Sequence, residues 1–347
     1  AIVAFGQAPA DQAPGQTETM MLLPTITDAL ASVGMTRKDI GFTCSGSADY
    51  LTGGTFTFVQ MVEAAGAWPP ISESHVEMDG AWALYEAWVR LQHGDIDTAL
   101  VFSSGRAALS VSLRETLALQ NDPYYMVPLG ADYMGLSALQ AQAVLAKTGK
   151  TERDLAEIVA RSRKSAKTNA NAGISGDFTV EDLLAKDYVV EPLREHDFGP
   201  PIDGAACIVL VAGDRAREAC ERPAWIGGID HRADPHYPGM RDLSVSPSTR
   251  IAGEKSGVGR GGVEVAELSA VCSAEELVLA DALGLGDSIE MNPSGGALAG
   301  NAVMVTGLAR IGEAFKQVST NGKQRALGHA SSGPCLQQNL VCVLEAR

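Results

Sequence analysis

HVEMDGAWALYEAWVRLQHGDIDTALVFSS, residues 75–104, reads as a short strand, a turn at Glu77-Met78-Asp79-Gly80, an amphipathic helix stopped near Gly94, and the apolar strand TALVFSS. A helix N-terminus presents unpaired N–H groups and a partial positive charge, so chemistry hosted by such a unit is expected at its turn. Two acids, Glu77 and Asp79, stand there. Asp79 is also a good N-cap beside a solvated Glu77, so a capping role and a chemical role both stay open at this point.

The same rhythm extends to either side. AIVAFG at 1–6 is a strand, a Pro/Gln/Gly loop follows, Thr17 to Val33 has helical spacing with Gly34 as its stop, and GFTCSGS at 41–47 is a strand. Strand, helix and strand with short connections call for a parallel sheet covered by helices on both faces. From Gly105 to Gly199 the rhythm stops; Tyr-rich turns and two helical stretches, 136–148 and 151–170, fill the interval. An insertion of that size between strands of one sheet is expected to cap the ligand site. The sheet resumes in DGAACIVLVAG, 203–213, and a second round begins. PAWIGGID (223–230) is a strand, VEVAELSAVCSAEELVLADALGL (263–285) is helical, DSIEMNPSGG ends a strand in a Gly turn, 300–318 is a helix, and QQNLVCVLEA (337–346) closes the chain. The order of elements repeats although the residues do not, which predicts two related halves of a duplicated α/β unit. The expected division is 1–104 plus 200–218 for the N-terminal half, 105–199 for the cap and 219–347 for the C-terminal half.

Composition narrows the function classes. A net charge of −15 argues against nucleic acid or an anionic membrane as partner, because nothing basic and continuous is available to neutralise phosphates. No apolar run approaches the roughly 20 residues of a membrane span, and no charged-then-apolar leader opens the sequence, so a cytoplasmic location is expected. The six cysteines are scattered with no C-x-x-C pair, which predicts reduced, buried thiols and no metal in this chain.

Four stretches then carry a resemblance. NPSGG at 292–296 followed by G-N-A-x-x-x-T-G at 300–307 resembles the thiolase-superfamily signature NPSGG…GHPxGATG. IDGAACIVL at 202–210 is similar to its DGAA strand, and YMGLSALQA at 133–141 to its HMGxTAE cap segment. HVEMDGAWALYEA at 75–87 lies where thiolases carry the nucleophile elbow C-A-S-G-x-x-A-L. The resemblance spans nearly the whole chain and implies a thiolase-like duplicated five-layered αβαβα fold with a cap insertion in the first half, a dimer through that half, and CoA-thioester ligands.

Carried over residue by residue, the thiolase machinery is missing. With Gly80, Ala83 and Leu84 on G-x-x-A-L, the nucleophilic cysteine falls on Glu77, and a carboxylate cannot replace a thiolate as acyl acceptor. The GHP histidine becomes Asn301, the histidine of E-L-H-D-C-F becomes Ser269 in ELSAVC, and the C-terminal base cysteine falls near His329 in GHASSG. Ordinary thiolysis is not expected. GHASSGPCLQQNLVCVLE and HVEMDGAWALYEAWV resemble the thiolase-like lipid-transfer-protein group of steroid and bile-acid side-chain degradation. That group implies retro-aldol cleavage of a β-hydroxyacyl-CoA without a covalent intermediate, in complex with a small zinc-ribbon/OB-fold partner. Such cleavage needs a base for the hydroxyl proton and a donor for the enolate, not a nucleophile.

The candidate chemical residues are therefore His329, Asn301, Glu77, Asp79, Tyr133 and Ser269, with Tyr125 of the cap as a further donor. The NPSGG turn, with Gly295 and Gly296, and the basic run Arg161, Arg163 and Lys164 in the cap are the expected CoA contacts. The group's retro-aldolases carry tyrosines where this chain has Ser269 and Asn301, so a second reading is a non-catalytic thiolase-like subunit supporting a catalytic paralogue. The expected partners are an acyl-CoA, a second copy or a paralogue, and the zinc-ribbon/OB-fold protein; CoA enters as part of the substrate, with no bound cofactor. An acyltransferase or a lipid carrier is the weaker alternative.

Overall fold

Several strands carry apolar residues on both faces, which requires helices above and below them. In β-strand register, Ala206, Ile208 and Leu210 join one core while Ala205, Cys207, Val209 and Val211 join another, so DGAACIVLV is sandwiched between helical layers. A computed structural model describes residues 1–10, 16–52, 55–66, 70–108 and 112–347, leaving most of the expected Pro/Gln/Gly loop outside the described residues.

In chain order the strands are β1 (Ile2–Gln7), β2 (Phe42–Gly46), β3 (Glu73–Val76), β4 (Thr98–Arg106), β5 (Tyr188–Val190), β6 (Leu193–Arg194), β7 (Asp203–Val211), β8 (Trp225–Ala233), β9 (Val265–Glu267), β10 (Glu290–Met291), β11 (Arg325–Ser332) and β12 (Gln338–Glu345). One sheet runs β3-β2-β4-β7-β1 and the other β10-β9-β11-β12-β8; β5 and β6 form a small ribbon of the cap. The two large sheets have the same order when each half is counted from its own first strand. The duplication read from the order of elements is thus a duplication of topology.

The helices Gly80–His93 and Thr306–Ser319 lie between the sheets, where Leu84, Ala87, Leu308 and Ile311 share one core with inward residues of both sheets. Helices Glu18–Ser32 and Thr57–Ala65 cover the outer face of the first sheet. Pro247–Ser256 and Ser273–Leu283 cover that of the second, giving five layers, αβαβα. The cap helices Tyr133–Thr148 and Glu152–Ser165 are inserted in the first half of the sequence, yet Ala138, Ala141, Val144 and Leu155 are buried in the core of the second half.

Two expectations are corrected. The sheets are mixed: β2 is parallel to β3 and β4, but β7 runs antiparallel to both β4 and β1, and β12 antiparallel to β11 and β8. An apolar run records burial on both faces, not the direction in which the chain re-enters the sheet. The segment 263–285 is helical only from Ser273; Val265–Glu267 is a strand, and the stretch between them forms a wall of the cleft described next.

Candidate functional site

The two central helices meet N-terminus to N-terminus, and Asp79 joins them. It caps its own helix through Ala81 N–H (2.9 Å) and also accepts Gly307 N–H (2.8 Å) and Leu308 N–H (3.0 Å) of the second. Burial lifts its pKa above the ordinary carboxylate range, and the three N–H donors pull against that rise. The helices approach this closely because neither has a side chain at the crossing. A Cβ on Gly80 would lie 2.8 Å from Leu308 Cδ2 of the second helix, and one on Gly307 2.6 Å from Asp79 Oδ1 at the start of the first. Met304, held at φ +72°, turns its carbonyl to accept Gly80 N–H at 3.0 Å and the Ser103 hydroxyl. The elbow turn, where a thiolase nucleophile would stand, is therefore closed by a backbone carbonyl.

Beside this crossing opens a cleft of about 820 Å³, its mouth included, walled by the cap, by the loop before helix Ser273–Leu283 and by the turn between β11 and β12. Asp79, Tyr133, Ser269 and Asn301 all line it. Tyr133 packs edge-on against Phe198 (5.8 Å between centroids), and burial, with Asp132 adding to it, raises its pKa, so the phenol is a neutral O–H donor at physiological pH. Thr306 Oγ1 lies 3.0 Å from Asn301 Oδ1, which orients the amide and leaves its NH2 for the cleft it lines. The Ser331 hydroxyl donates to the Ser269 carbonyl at 2.9 Å and sets the two hydroxyls 3.5 Å apart.

Glu77 and His329 stand elsewhere. Glu77 is half-exposed on the outer side of the turn, accepting Asp49 N–H at 2.6 Å and facing His75 Nε2 at 3.3 Å. His329 is completely buried on β11. Gly328 and Ala330 face the central helix, so strand alternation turns His329 to the opposite, outer layer. Its Nε2–H donates to Asn339 Oδ1 at 3.1 Å, Nδ1 is buried without a partner among the described residues, and burial lowers its pKa to about 4. It is a neutral core histidine, outside the cleft lining. Tyr125 is exposed on the cap.

The expected CoA contacts divide similarly. Arg161 is paired with the buried carboxylate of Glu276, and Arg163 is buried with its guanidinium 4.7 Å from the Phe178 ring. Lys164 is exposed on the cap helix. Gly295 and Gly296 take φ of +96° and +62° in the NPSGG turn, which folds against the cap: the Ser162 hydroxyl donates to the Gly295 carbonyl. Behind that turn, Glu267 accepts Ser294 N–H (2.9 Å), the Ser294 hydroxyl (2.6 Å) and Arg310 Nη1 (2.9 Å) in a fully buried network. These residues hold the turn in shape. No Lys, Arg or His is among the described residues lining the cleft.

One residue of the cleft was not singled out from the sequence. Glu275 follows the N-cap Cys272 by three positions, the spacing of a capping box, and its Oε2 accepts Val271 N–H (2.8 Å) and Cys272 N–H (3.3 Å). It is buried and lines the cleft; burial pushes its pKa from the ordinary 4.5 up to about 7, against those two N–H bonds. The C-S-A-E spacing was visible as a cap; its burial in a cleft wall was not. Ser331, within the GHASSG stretch, and Gln120, which carries no local motif, are further lining groups.

The five layers, the paired central helices and the cleft at their crossing define a thiolase-like fold. No family model matches it. It is 26% identical over 241 residues to the benzoylsuccinyl-CoA thiolase subunit BbsB of Thauera aromatica, covering 60% of this chain and 63% of that one. It is 24% identical over 254 residues to the 17-hydroxy-3-oxo-4-pregnene-20-carboxyl-CoA lyase of Mycobacterium tuberculosis, covering 68% of this chain and 63% of that one. The match thus spans less than two thirds of the length of either relative. Among solved structures it superimposes on the Ltp2-ChsH2(DUF35) aldolase with a TM-score of 0.83 at 20% identity, over 100% of this chain and 97% of that one.

Proposed function

We propose that this chain is the thiolase-fold subunit of a CoA-thioester carbon–carbon lyase, cleaving a β-hydroxyacyl-CoA by a retro-aldol step with no acyl-enzyme. In that step the β-hydroxyl loses its proton, the Cα–Cβ bond breaks with its electron pair moving to the thioester enolate, and the enolate takes up a proton. The products are a ketone or aldehyde and a shorter acyl-CoA. The observation that carries the reading is the elbow: its Gly80 N–H is spent on the Met304 carbonyl and no thiol faces the cleft there, while Tyr133, Asn301, Ser269 and Glu275 line that cleft with proton donors and a carboxyl. Cys335, the thiol that does line it, donates to the Leu136 carbonyl, and burial pushes its pKa up to about 12, which makes it a poor nucleophile. Tyr133 and the Asn301 amide supply hydrogen bonds to the thioester oxygen as it becomes an enolate.

The similarity to a lyase of a steroid-derived CoA thioester supports a bulky steroid or bile-acid side chain as substrate. The two-component name of the aldolase structure supports a second polypeptide as partner, the zinc-ribbon/OB-fold protein implied by the resemblance. A cleft lined without cations fits the neutral reacting end of the thioester; the CoA phosphates then bind beyond the lining, Lys164 being the exposed cation of the basic cap run. The test is incubation of the purified chain, alone and co-expressed with its partner, with a β-hydroxyacyl-CoA. The expected result is release of a carbonyl product and a shortened acyl-CoA, with no mass adduct on the protein. A covalent acyl adduct would refute the reading.

A second reading has its own observation. Both Asp79 oxygens are held on backbone N–H groups, so the first half presents a stapled helix crossing to the cleft. That suits a subunit which shapes the site of a catalytic paralogue. Turnover that appears only when a paralogue is added, and survives substitution of every lining residue here, would select it.

A further inference from the structure

Resting on the lyase reading, we propose that Glu275 is the proton-transfer group of the cleft: its carboxylate takes the proton of the β-hydroxyl, and the resulting acid returns that proton to the α-carbon of the enolate. The step balances with one carboxyl, because retro-aldol cleavage neither gains nor loses a proton overall. Each competing group is otherwise engaged. Asp79 has both oxygens on three backbone N–H groups, Glu77 lies outside the cleft, and His329 faces the opposite layer. Tyr133 and Ser269 are donors whose hydroxyls are too weakly acidic to act as resting bases.

Glu275 differs in how it is held. Both hydrogen bonds that it accepts from described residues fall on Oε2, from Val271 and Cys272, so Oε1 is the oxygen left for the cleft that the residue lines. The cap therefore fixes the side chain at one oxygen and leaves the other for proton transfer. The described residues facing it offer no counter-charge. From the cap comes the Tyr133 phenol, from the β11–β12 turn the Cys335 thiol, with Arg241 bonded behind it to the Pro334 and Cys335 carbonyls, and from the first half Asp79. Its own loop supplies Cys272 and Ser273, whose hydroxyl donates to buried Asp197 at 2.6 Å. A carboxyl in this setting exchanges a proton near neutrality, as a general base and acid must.

The test is the pH profile of kcat/KM of the full chain with its partner, on a β-hydroxyacyl-CoA, for wild type, Glu275→Gln and Glu275→Asp. Glutamine keeps the capping box, so the helix start survives. Wild type should lose activity as the pH falls through about 7. Glu275→Gln should lose about 100-fold or more in turnover and show no such limb, while binding the same thioester within about threefold. Glu275→Asp should keep a limb at a reduced rate and displaced pH. Independently of turnover, a protonated-carboxyl infrared band should vanish between about pH 6 and 8 in wild type and be absent in Glu275→Gln. Glu275→Gln within about tenfold of wild type, or a limb that persists in it, would overturn the assignment and leave the lyase reading standing. A wild-type complex that releases no carbonyl product would instead remove the lyase reading and this assignment together. If Glu275→Gln does not fold, a limb unmoved in Glu275→Asp overturns the assignment.

Discussion

Keeping Glu275 in a wall without a cation costs folding free energy once it ionises. Its pKa rises from 4.5 to about 7 on folding, so its favourable contribution is full below the unfolded value and is lost as the pH rises through about 7. The loss is on the order of 3 kcal/mol for a shift of this size. Glu275→Gln should therefore melt several degrees above wild type at pH 8, the gap closing as the pH falls toward 4.5; a gap independent of pH in thermal melts would refute the buried, proton-exchanging state. His329 has the opposite sign. Its pKa is depressed to about 4, so its contribution is present above the ordinary 6.5 and lost as the pH falls through about 4. His329→Leu should cost about 1–3 kcal/mol by orphaning Asn339 Oδ1, and should leave kcat unchanged. A large loss of turnover at full stability would return His329 to the chemistry.

At the scale of elements, Asp79 is the joint between the two central helices rather than the cap of one. Asp79→Ala should leave three helix N-terminal amides without acceptors and cost about 2–4 kcal/mol in denaturant unfolding; an unchanged midpoint would mean the amides find other partners. The elements themselves were largely readable. The helix after Asp79 and its stop at Gly94 follow from an N-cap, an amphipathic repeat and a left-handed glycine at φ +77°. What misled was a segment whose local pattern admits two periods. The run from Val263 suits a helix, but β9 takes Val265 and Ala266 because they complete a sheet between β10 and β11. Sheet direction was equally hidden, because the path of the cap decides that β7 returns antiparallel to β4.

For the molecule as a whole, five of the six cysteines are buried and none is bonded to another. Native protein should react with a thiol reagent at Cys220 alone, and all six should react on unfolding. Early labelling of Cys335 would mean that the cleft opens to solvent more widely than its buried wall implies. No helix among the described residues is long and apolar enough to cross a membrane.

Residue order alone was enough for the duplicated α/β architecture, the thiolase-like pattern, the absent elbow cysteine, and three cleft residues in Tyr133, Ser269 and Asn301 besides Asp79. These follow from periodicity and short motifs, which are local. The roles of Glu77, His329, Arg163 and Glu275 depended on which layer each side chain faces and what surrounds it, and residues distant in sequence supply that. Asp79 meets its partners on Gly307 and Leu308 more than two hundred positions away, and Glu275 shares its cleft wall with Tyr133 and Cys335. Burial and electrostatic setting are properties of that assembled neighbourhood, so a carboxyl side chain is a solvated surface acid at Glu77, a helix staple at Asp79 and a buried group of raised pKa at Glu275.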